Sequence, residues 1–206
     1  WIENMKLPVE EALKTGKVVE GAICYTGDIL NPKETKYTID YYCKKARQLE
    51  RMGCHVIALK DMSSLLKPYA AKELITALKE EVRVPIHLHT TGNGIATYLM
   101  AAEAGADIVD CAIGSMSSLT SQPSMNALVE ALRGTKRDTG IDPDGLLVLN
   151  EYYEHERKVY KPFESDMDSP NPEIYKYEIP GGQYSNFAAQ VKEMGAGNDF
   201  NDIKRL

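Results

Sequence analysis

A lysine and an aspartate, Lys60 and Asp61, directly follow an apolar run at 56–59 that has the composition of a buried β-strand. A lysine at the end of such a strand can simply extend its ammonium group into water while its stem covers apolar surface. Alternatively, partial desolvation lowers the pKa of the amine and makes it nucleophilic. Reaction with CO2 would then give an anionic carbamate, which is an oxygen ligand for a metal. Both interpretations stay open at this point.

Two histidines, His87 and His89, alternate along the next apolar run, at 84–89. Successive side chains of a strand point to opposite faces, so both imidazoles lie on the same side. One interpretation is a packed histidine beside an incidental one. The other is a metal site, because imidazole combined with a carboxylate-like ligand suits Zn or Mn. A vacant coordination position would then provide a Lewis acid.

A polar loop at 116–124 follows the fourth apolar run and is rich in hydroxyl and amide side chains. Ser121 and Gln122 are our candidates for contacts to a polar cofactor. Pro123 stands where a helix can start. An ordinary helix-capping cluster therefore explains the same residues equally well.

All these candidates lie at the carboxyl ends of short apolar runs, between which the apolar residues recur with helical spacing. The predicted strands are 21–25, 55–60, 84–89 and 107–113, and the predicted helices are 8–14, 37–52, 69–81, 94–104 and 125–132. Glycines that suit helix C-caps follow four of these helices, namely Gly16, Gly53, Gly105 and Gly134. Alternation of strands and helices over these lengths predicts a parallel sheet.

Two parallel architectures are possible. A doubly wound sheet normally carries a glycine-rich phosphate loop after its first strand, and the residues at 25–28, Tyr-Thr-Gly-Asp, do not form one. Polar side chains at strand carboxyl ends are typical of the (β/α)8 TIM barrel. Four of its eight βα units are recognisable, in a predicted first domain at 1–135. We expect this half barrel to need the remaining half as a partner, because its sheet edges are open. Residues 136–206 are predicted to be a helical extension, with a helix starting near Asn186.

Charge and composition exclude several classes of partner. The formal net charge is -6 and no basic cluster is present, so we expect no nucleic-acid partner. No apolar stretch approaches the roughly 20 residues of a membrane span, so we expect no membrane partner. Four cysteines without metal-site or disulfide spacing indicate a reducing compartment, the cytoplasm or a mitochondrial matrix. The start at Trp1, with no signal-peptide pattern, leads us to expect a segment cut from a longer chain.

Five sequence blocks resemble, in order, the carboxyltransferase domain of the pyruvate carboxylase family of biotin-dependent enzymes. They are Cys-Tyr-Thr-Gly-Asp at 24–28, Lys-Asp-Met with Leu-Leu-Lys-Pro at 60–68, Pro-Ile-His-Leu-His-Thr at 85–90, Leu-Thr-Ser-Gln-Pro-Ser at 119–124 and Glu-Ile-Pro-Gly-Gly-Gln-Tyr-Ser-Asn at 178–186. The resemblance covers nearly the whole chain. It implies that the βα units are about the last four of the barrel.

The resemblance also implies a reaction. Carboxybiotin, carried on a separate biotin carrier domain, releases CO2, and enolised pyruvate beside a divalent metal captures it to give oxaloacetate. The family binds this metal through an aspartate, a carbamylated lysine and two histidines. The lysine matches Lys60, and one of the histidines matches His89. A homo-oligomeric full enzyme is also implied.

The sequence departs from the family pattern directly after Thr90. The family has a further histidine two residues beyond the position of His89, whereas here Thr91 and Gly92 follow at once. His87 matches a preceding histidine that is not a ligand. The family's metal-binding aspartate and its pyruvate-binding arginine and glutamine have no counterpart either, so we expect the chain alone to be incomplete and inactive. Two alternatives therefore stay open: a carboxyltransferase subunit of the oxaloacetate decarboxylase type, and a non-catalytic half barrel that serves as an assembly surface.

Overall fold

The strands of the chain form a parallel sheet in sequence order. The computed structural model describes residues 2–92, 94–164, 173–177 and 179–205. Within them the strands are β1 (Glu20–Cys24), β2 (Val56–Lys60), β3 (Ile86–His89) and β4 (Ile108–Val109). Each pairs in parallel with the next, in the order β1-β2-β3-β4. The predicted parallel sheet is thus confirmed.

Helices connect the strands and continue beyond them. They are α1 (Lys6–Lys14), α2 (Ile39–Arg51), α3 (Pro68–Glu81), α4 (Ile95–Ala104), α5 (Met125–Leu132), α6 (Pro143–Tyr160), α7 (Ile174–Tyr177), α8 (Gly181–Glu193) and α9 (Phe200–Ile203). The glycines predicted to end helices all have positive φ, for example 103° at Gly105. Such a backbone conformation favours glycine because it has no Cβ.

The core lies between the sheet and its connecting helices. Ile23, Leu59 and Leu88 point from successive strands toward these helices and are at most 1% exposed. Leu74 and Ile75 of α3 are fully buried from the helix side. Burial of these side chains is the main force that holds each βα unit together.

Two predicted boundaries were wrong. The fourth strand was predicted over 107–113 but ends at Val109, because the backbone from Ala112 bonds to residues 123–125 instead of β3. Ala112 N–H donates to the Pro123 carbonyl at 3.1 Å, and Met125 N–H donates to the Ala112 carbonyl at 2.8 Å. The helix predicted near residue 186 starts five residues earlier, since Pro180 supplies its N-cap and accepts from Tyr184 N–H at 2.8 Å.

The chain forms two compact units. The first comprises 1–61, 65–90 and 94–110, and the second comprises 62–64, 91–93 and 111–206. These units do not test the predicted domain division between residues 135 and 136, which stays a prediction. None of the helices within the described residues combines the length and apolar character of a membrane span. No disulfide joins the four cysteines, all of which lie within the described residues.

Candidate active site at the carboxyl ends of the strands

Lys60 and His89 lie side by side in the first unit. They are paired in the parallel register of β2 and β3, and each is the last residue of its strand. Cys24 completes the row as the partner of Lys60 on β1. The Lys60 side chain is exposed, and that of His89 is 23% exposed. Lys60 and His89, which the sequence indicated separately, therefore lie next to each other on one face of the sheet. Their chemical roles stay a prediction.

An aspartate that the sequence reasoning missed holds His89. Asp110 Oδ2 lies 2.7 Å from His89 Nδ1, so the opposite ring nitrogen, Nε2, is the one available for a ligand. Asp110 Oδ1 also lies 3.1 Å from Nε2 of His87. Asp110 was hidden because it follows the two-residue strand β4, within the longer strand predicted from the sequence. No local pattern in the sequence marks this strand end, so periodicity alone could not identify Asp110.

His87 occupies the same face, two residues before His89. Its Nδ1 lies 2.8 Å from Glu20 Oε2, at the beginning of β1. Two carboxylates, those of Glu20 and Asp110, thus face the two nitrogens of one imidazole. The assignment of His87 as a residue that does not bind the metal stays a prediction.

The donor set fits a divalent metal only in part. Lys60, as a carbamate, and His89 Nε2 are two donors of the kind that Zn and Mn accept. A carboxylate on the second nitrogen is the common arrangement behind a metal-bound histidine, and Asp110 supplies it. Within the described part of the chain, no three histidine, cysteine, aspartate or glutamate residues form a metal-binding group.

The loop after β1 is fixed by two buried tyrosines. The Tyr25 hydroxyl accepts a hydrogen bond from Ile29 N–H, and the Tyr42 hydroxyl accepts one from Thr26 N–H, both at 3.1 Å. Their rings stack with centroids 5.5 Å apart. Burial raises the pKa of Tyr42 to about 12, so this hydroxyl stays protonated at neutral pH. The two tyrosine hydroxyls thus hold the backbone of the loop after β1 in place.

Ser121 and Gln122 belong to the second unit. Ser121 borders a cleft of about 610 Å³ together with Arg157, Glu164 and Asn186. The Gln122 carbonyl accepts from Ser118 N–H at 3.0 Å and so closes the loop.

Arg157 and Glu164 of this cleft were not among the site residues predicted from the sequence. Arg157 Nε donates to Glu164 at 2.7 Å, and its Nη1 donates to the Ser115 carbonyl at 2.7 Å. Hydrogen bonds from Arg157 and Lys161 lower the pKa of Glu164 to about 2. The carboxylate is thus ionised at neutral pH and compensates the guanidinium charge, so the cleft has no unbalanced charge from this pair.

Two protein-family models match the chain. Residues 9–152 match the HMGL-like family, and residues 174–206 match the conserved carboxylase domain. Pyruvate carboxylase of Staphylococcus aureus is 52% identical over the whole chain, that of Bacillus subtilis 48%, and the human mitochondrial enzyme 44%. The chain spans only 18% of the length of each of these relatives.

Solved structures agree with these matches. The carboxyl transferase domain of Rhizobium etli pyruvate carboxylase aligns with a TM-score of 0.96 at 44% identity, over 99% of this chain and 35% of that one. The same domain has been solved with pyruvate and biocytin, with the same TM-score. The predicted fold class, part of a TIM-type barrel, is confirmed by this match. Glu178, which opens the last resembling block, lies outside the described residues.

Proposed function

The chain belongs to the HMGL-like family and is homologous to the carboxyltransferase domain of pyruvate carboxylase, and from this we propose that it contributes to carboxyl transfer from carboxybiotin to pyruvate, giving oxaloacetate. The observation that carries the proposal is the pairing of Lys60 with His89 at the carboxyl edge of the sheet. In barrel enzymes this edge is where substrates bind and react.

In the proposed site, Lys60 and His89 are two ligands of a divalent ion, Zn or Mn. The Lys60 amine attacks CO2, an N–C bond forms, and one proton leaves to give the carbamate anion. Asp110 holds His89 through its Nδ1, which would leave Nε2 as the nitrogen to bind the ion. The ion, when bound, stabilises the negative charge that develops on the enolate oxygen of pyruvate.

The proposed contacts of the biotin cofactor are Ser121 and Gln122. Hydroxyl and amide groups of this kind can bond the polar ring of biotin, and Ser121 already borders a cleft large enough for a small ligand. The proposed partners are pyruvate or oxaloacetate, a biotin carrier domain, the remaining half of the barrel and further copies in a homo-oligomer. The proposed compartment is the cytoplasm, or the mitochondrial matrix in a eukaryote, which suits a chain whose four cysteines form no disulfide.

The test uses the native polypeptide that contains these residues. It is incubated with pyruvate and with carboxylated biocytin whose transferable carboxyl group is labelled with ¹³C. Labelled oxaloacetate is then measured by mass spectrometry. We expect label in oxaloacetate that requires both protein and pyruvate. No transfer by correctly folded protein would favour the non-catalytic half barrel, which the missing second histidine also favours. Transfer that requires a sodium-pump partner would favour the oxaloacetate decarboxylase type.

Replacement of His89 by alanine should lower the amount of bound metal. The imidazole is one of two proposed donors from this chain, and alanine offers none. Elemental analysis of the purified native protein and the variant measures the metal per chain. His155→Ala is the control, because His155 lies exposed on α6 and should leave the metal content unchanged. Equal metal content in His89→Ala and the native protein would refute the ligand role.

Replacement of Asp110 by asparagine should weaken metal binding by about 10- to 100-fold, the usual loss when the partner behind a ligating histidine is changed. Asparagine keeps the size of the side chain but no longer favours an Nδ1–H tautomer of His89 through a charge. Competition with a chelator of known affinity measures the metal dissociation constant. Asp144→Asn, an exposed change at the start of α6, is the control. An Asp110→Asn dissociation constant equal to that of the control would contradict the prediction.

A further inference from the structure

Asp61 is a fully buried carboxylate that bonds to three separate groups of the first unit. Its Oδ1 accepts from Leu65 N–H at 2.9 Å. Its Oδ2 accepts from Leu66 N–H at 3.0 Å and from the Thr90 hydroxyl at 2.8 Å. The side chain is 0% exposed. Burial of an ionised carboxylate is costly unless it is hydrogen-bonded, so these bonds hold the group in one position.

These bonds join two chain segments that carry the proposed ligands. Asp61 directly follows Lys60, and Thr90 directly follows His89. Asp61 N–H also donates to the His89 carbonyl at 2.8 Å. The backbone and the side chain of one residue thus fasten the end of β2 to the end of β3, immediately beyond the paired residues.

Thr90 is itself fixed from a second direction. Its backbone N–H donates to the Tyr98 hydroxyl at 3.1 Å, and Tyr98 is fully buried in α4. The carboxylate also holds Leu65 and Leu66, whose side chains are at most 4% exposed and anchor the segment that leads into α3. Asp61 is therefore the point at which both strand ends are attached to the packed helices.

We propose that Asp61 is a positioning residue, which sets the separation and orientation of Lys60 and His89 by fixing the two strand ends. This inference rests on the proposed function for the roles of Lys60 and His89. It goes beyond that proposal because Asp61 neither binds the metal nor touches the substrate in it. Sites of this kind lose function when their ligands are displaced by even about 1 Å.

The decisive comparison is Asp61→Asn against Asp107→Asn in the native polypeptide. Asp107 bonds in a similar way at the opposite end of β3, because its Oδ2 accepts from Ile86 N–H and from Lys79 Nζ, both at 2.8 Å. We expect Asp61→Asn to raise the metal dissociation constant by at least about tenfold, the lower end of the usual outer-shell loss. Asp107→Asn should leave it within about twofold. Equal weakening in both variants would overturn the proposal.

A milder pair of variants covers the case in which Asp61→Asn does not fold. Thr90→Val removes the hydroxyl donor and keeps the shape of the side chain, whereas Thr90→Ser keeps the donor. Metal affinity should fall in Thr90→Val and recover in Thr90→Ser. Loss of affinity in both, or in neither, contradicts a role of the Asp61–Thr90 bond in positioning.

A readout that does not require metal separates this proposal from the proposed function. The protein is labelled with ¹⁵N-histidine, and the ring resonances of His89 are recorded by NMR for the native protein and each variant. Shifted or broadened His89 resonances in Asp61→Asn, with unchanged ones in Asp107→Asn, support the positioning role even if no carboxyl transfer is found. Unchanged His89 resonances in folded Asp61→Asn overturn it even if transfer is found.

Discussion

Replacement of Lys60 by alanine is expected to reduce carboxyl transfer at least about 10²- to 10³-fold, the loss typical when a group that stabilises transition-state charge is removed. The proposed carbamate forms on the Lys60 amine, and alanine has no atom that can replace it. The fold should survive, since the Lys60 side chain is exposed at the end of β2. The main-chain bond from Tyr25 N–H to the Lys60 carbonyl, at 2.9 Å, does not depend on the side chain.

The measurement is the rate of label transfer from carboxylated biocytin to pyruvate, at saturating concentrations of both, in the native polypeptide and the variant. Circular dichroism and the temperature of unfolding report whether the fold is intact. Lys72→Ala, an exposed lysine in the middle of α3, is the matched control and should transfer at the native rate. A Lys60→Ala protein that still transfers at a rate near that of Lys72→Ala would remove Lys60 from the mechanism.

The regular elements could be predicted because their signals are local. Apolar runs and helical periodicity identified the strands around Ile57 and Leu88 and the helices between them. The end of each apolar run marked the carboxyl end of a strand, which is why Lys60 and His89 were both expected at the rim of the sheet. Adjacent pairing of these two residues needs only a parallel sheet in sequence order, the usual arrangement for successive βα units.

The residues that surround the site could not be predicted in the same way. Asp61 looked like a second polar group at a strand end, and its bonds to the chain arise because the backbone N–H groups of Leu65 and Leu66 turn back toward it. Asp110 lies beside His89 in the register that pairs Leu88 with Val109, but the turn that ends β4 at Val109 could not be predicted from the sequence. Neither turn has a periodic pattern, and both depend on which backbone groups find partners in the folded chain.

Neighbouring residues of β2 thus have opposite tasks. Side chains alternate along a strand, so Leu59 points into the layer of helices while Lys60 points to the face that carries His89. Leu59 serves the stability of the fold, and the next residue, Lys60, serves the proposed chemistry. The two adjacent alanine substitutions should therefore give opposite results. Lys60→Ala should lose activity but stay stable, and Leu59→Ala should lose stability but stay active.

Leu59→Ala should destabilise the fold by about 2–5 kcal/mol, the range for truncation of a fully buried leucine. Leu59 is 0% exposed, and its neighbours Ile57 and Ile86 are as completely buried, so the cavity cannot be filled by a small movement. The free energy of unfolding is measured by urea denaturation, with Val18→Ala as the control, since Val18 is 77% exposed and should change stability by no more than about 0.5 kcal/mol.

The rate of carboxyl transfer per folded molecule should stay within about twofold of the native rate, because Lys60 and His89 keep their backbone pairing. A destabilisation below about 1 kcal/mol would show that Leu59 is not packed as described, and a large loss of transfer in the folded fraction would show that the two faces of β2 are coupled.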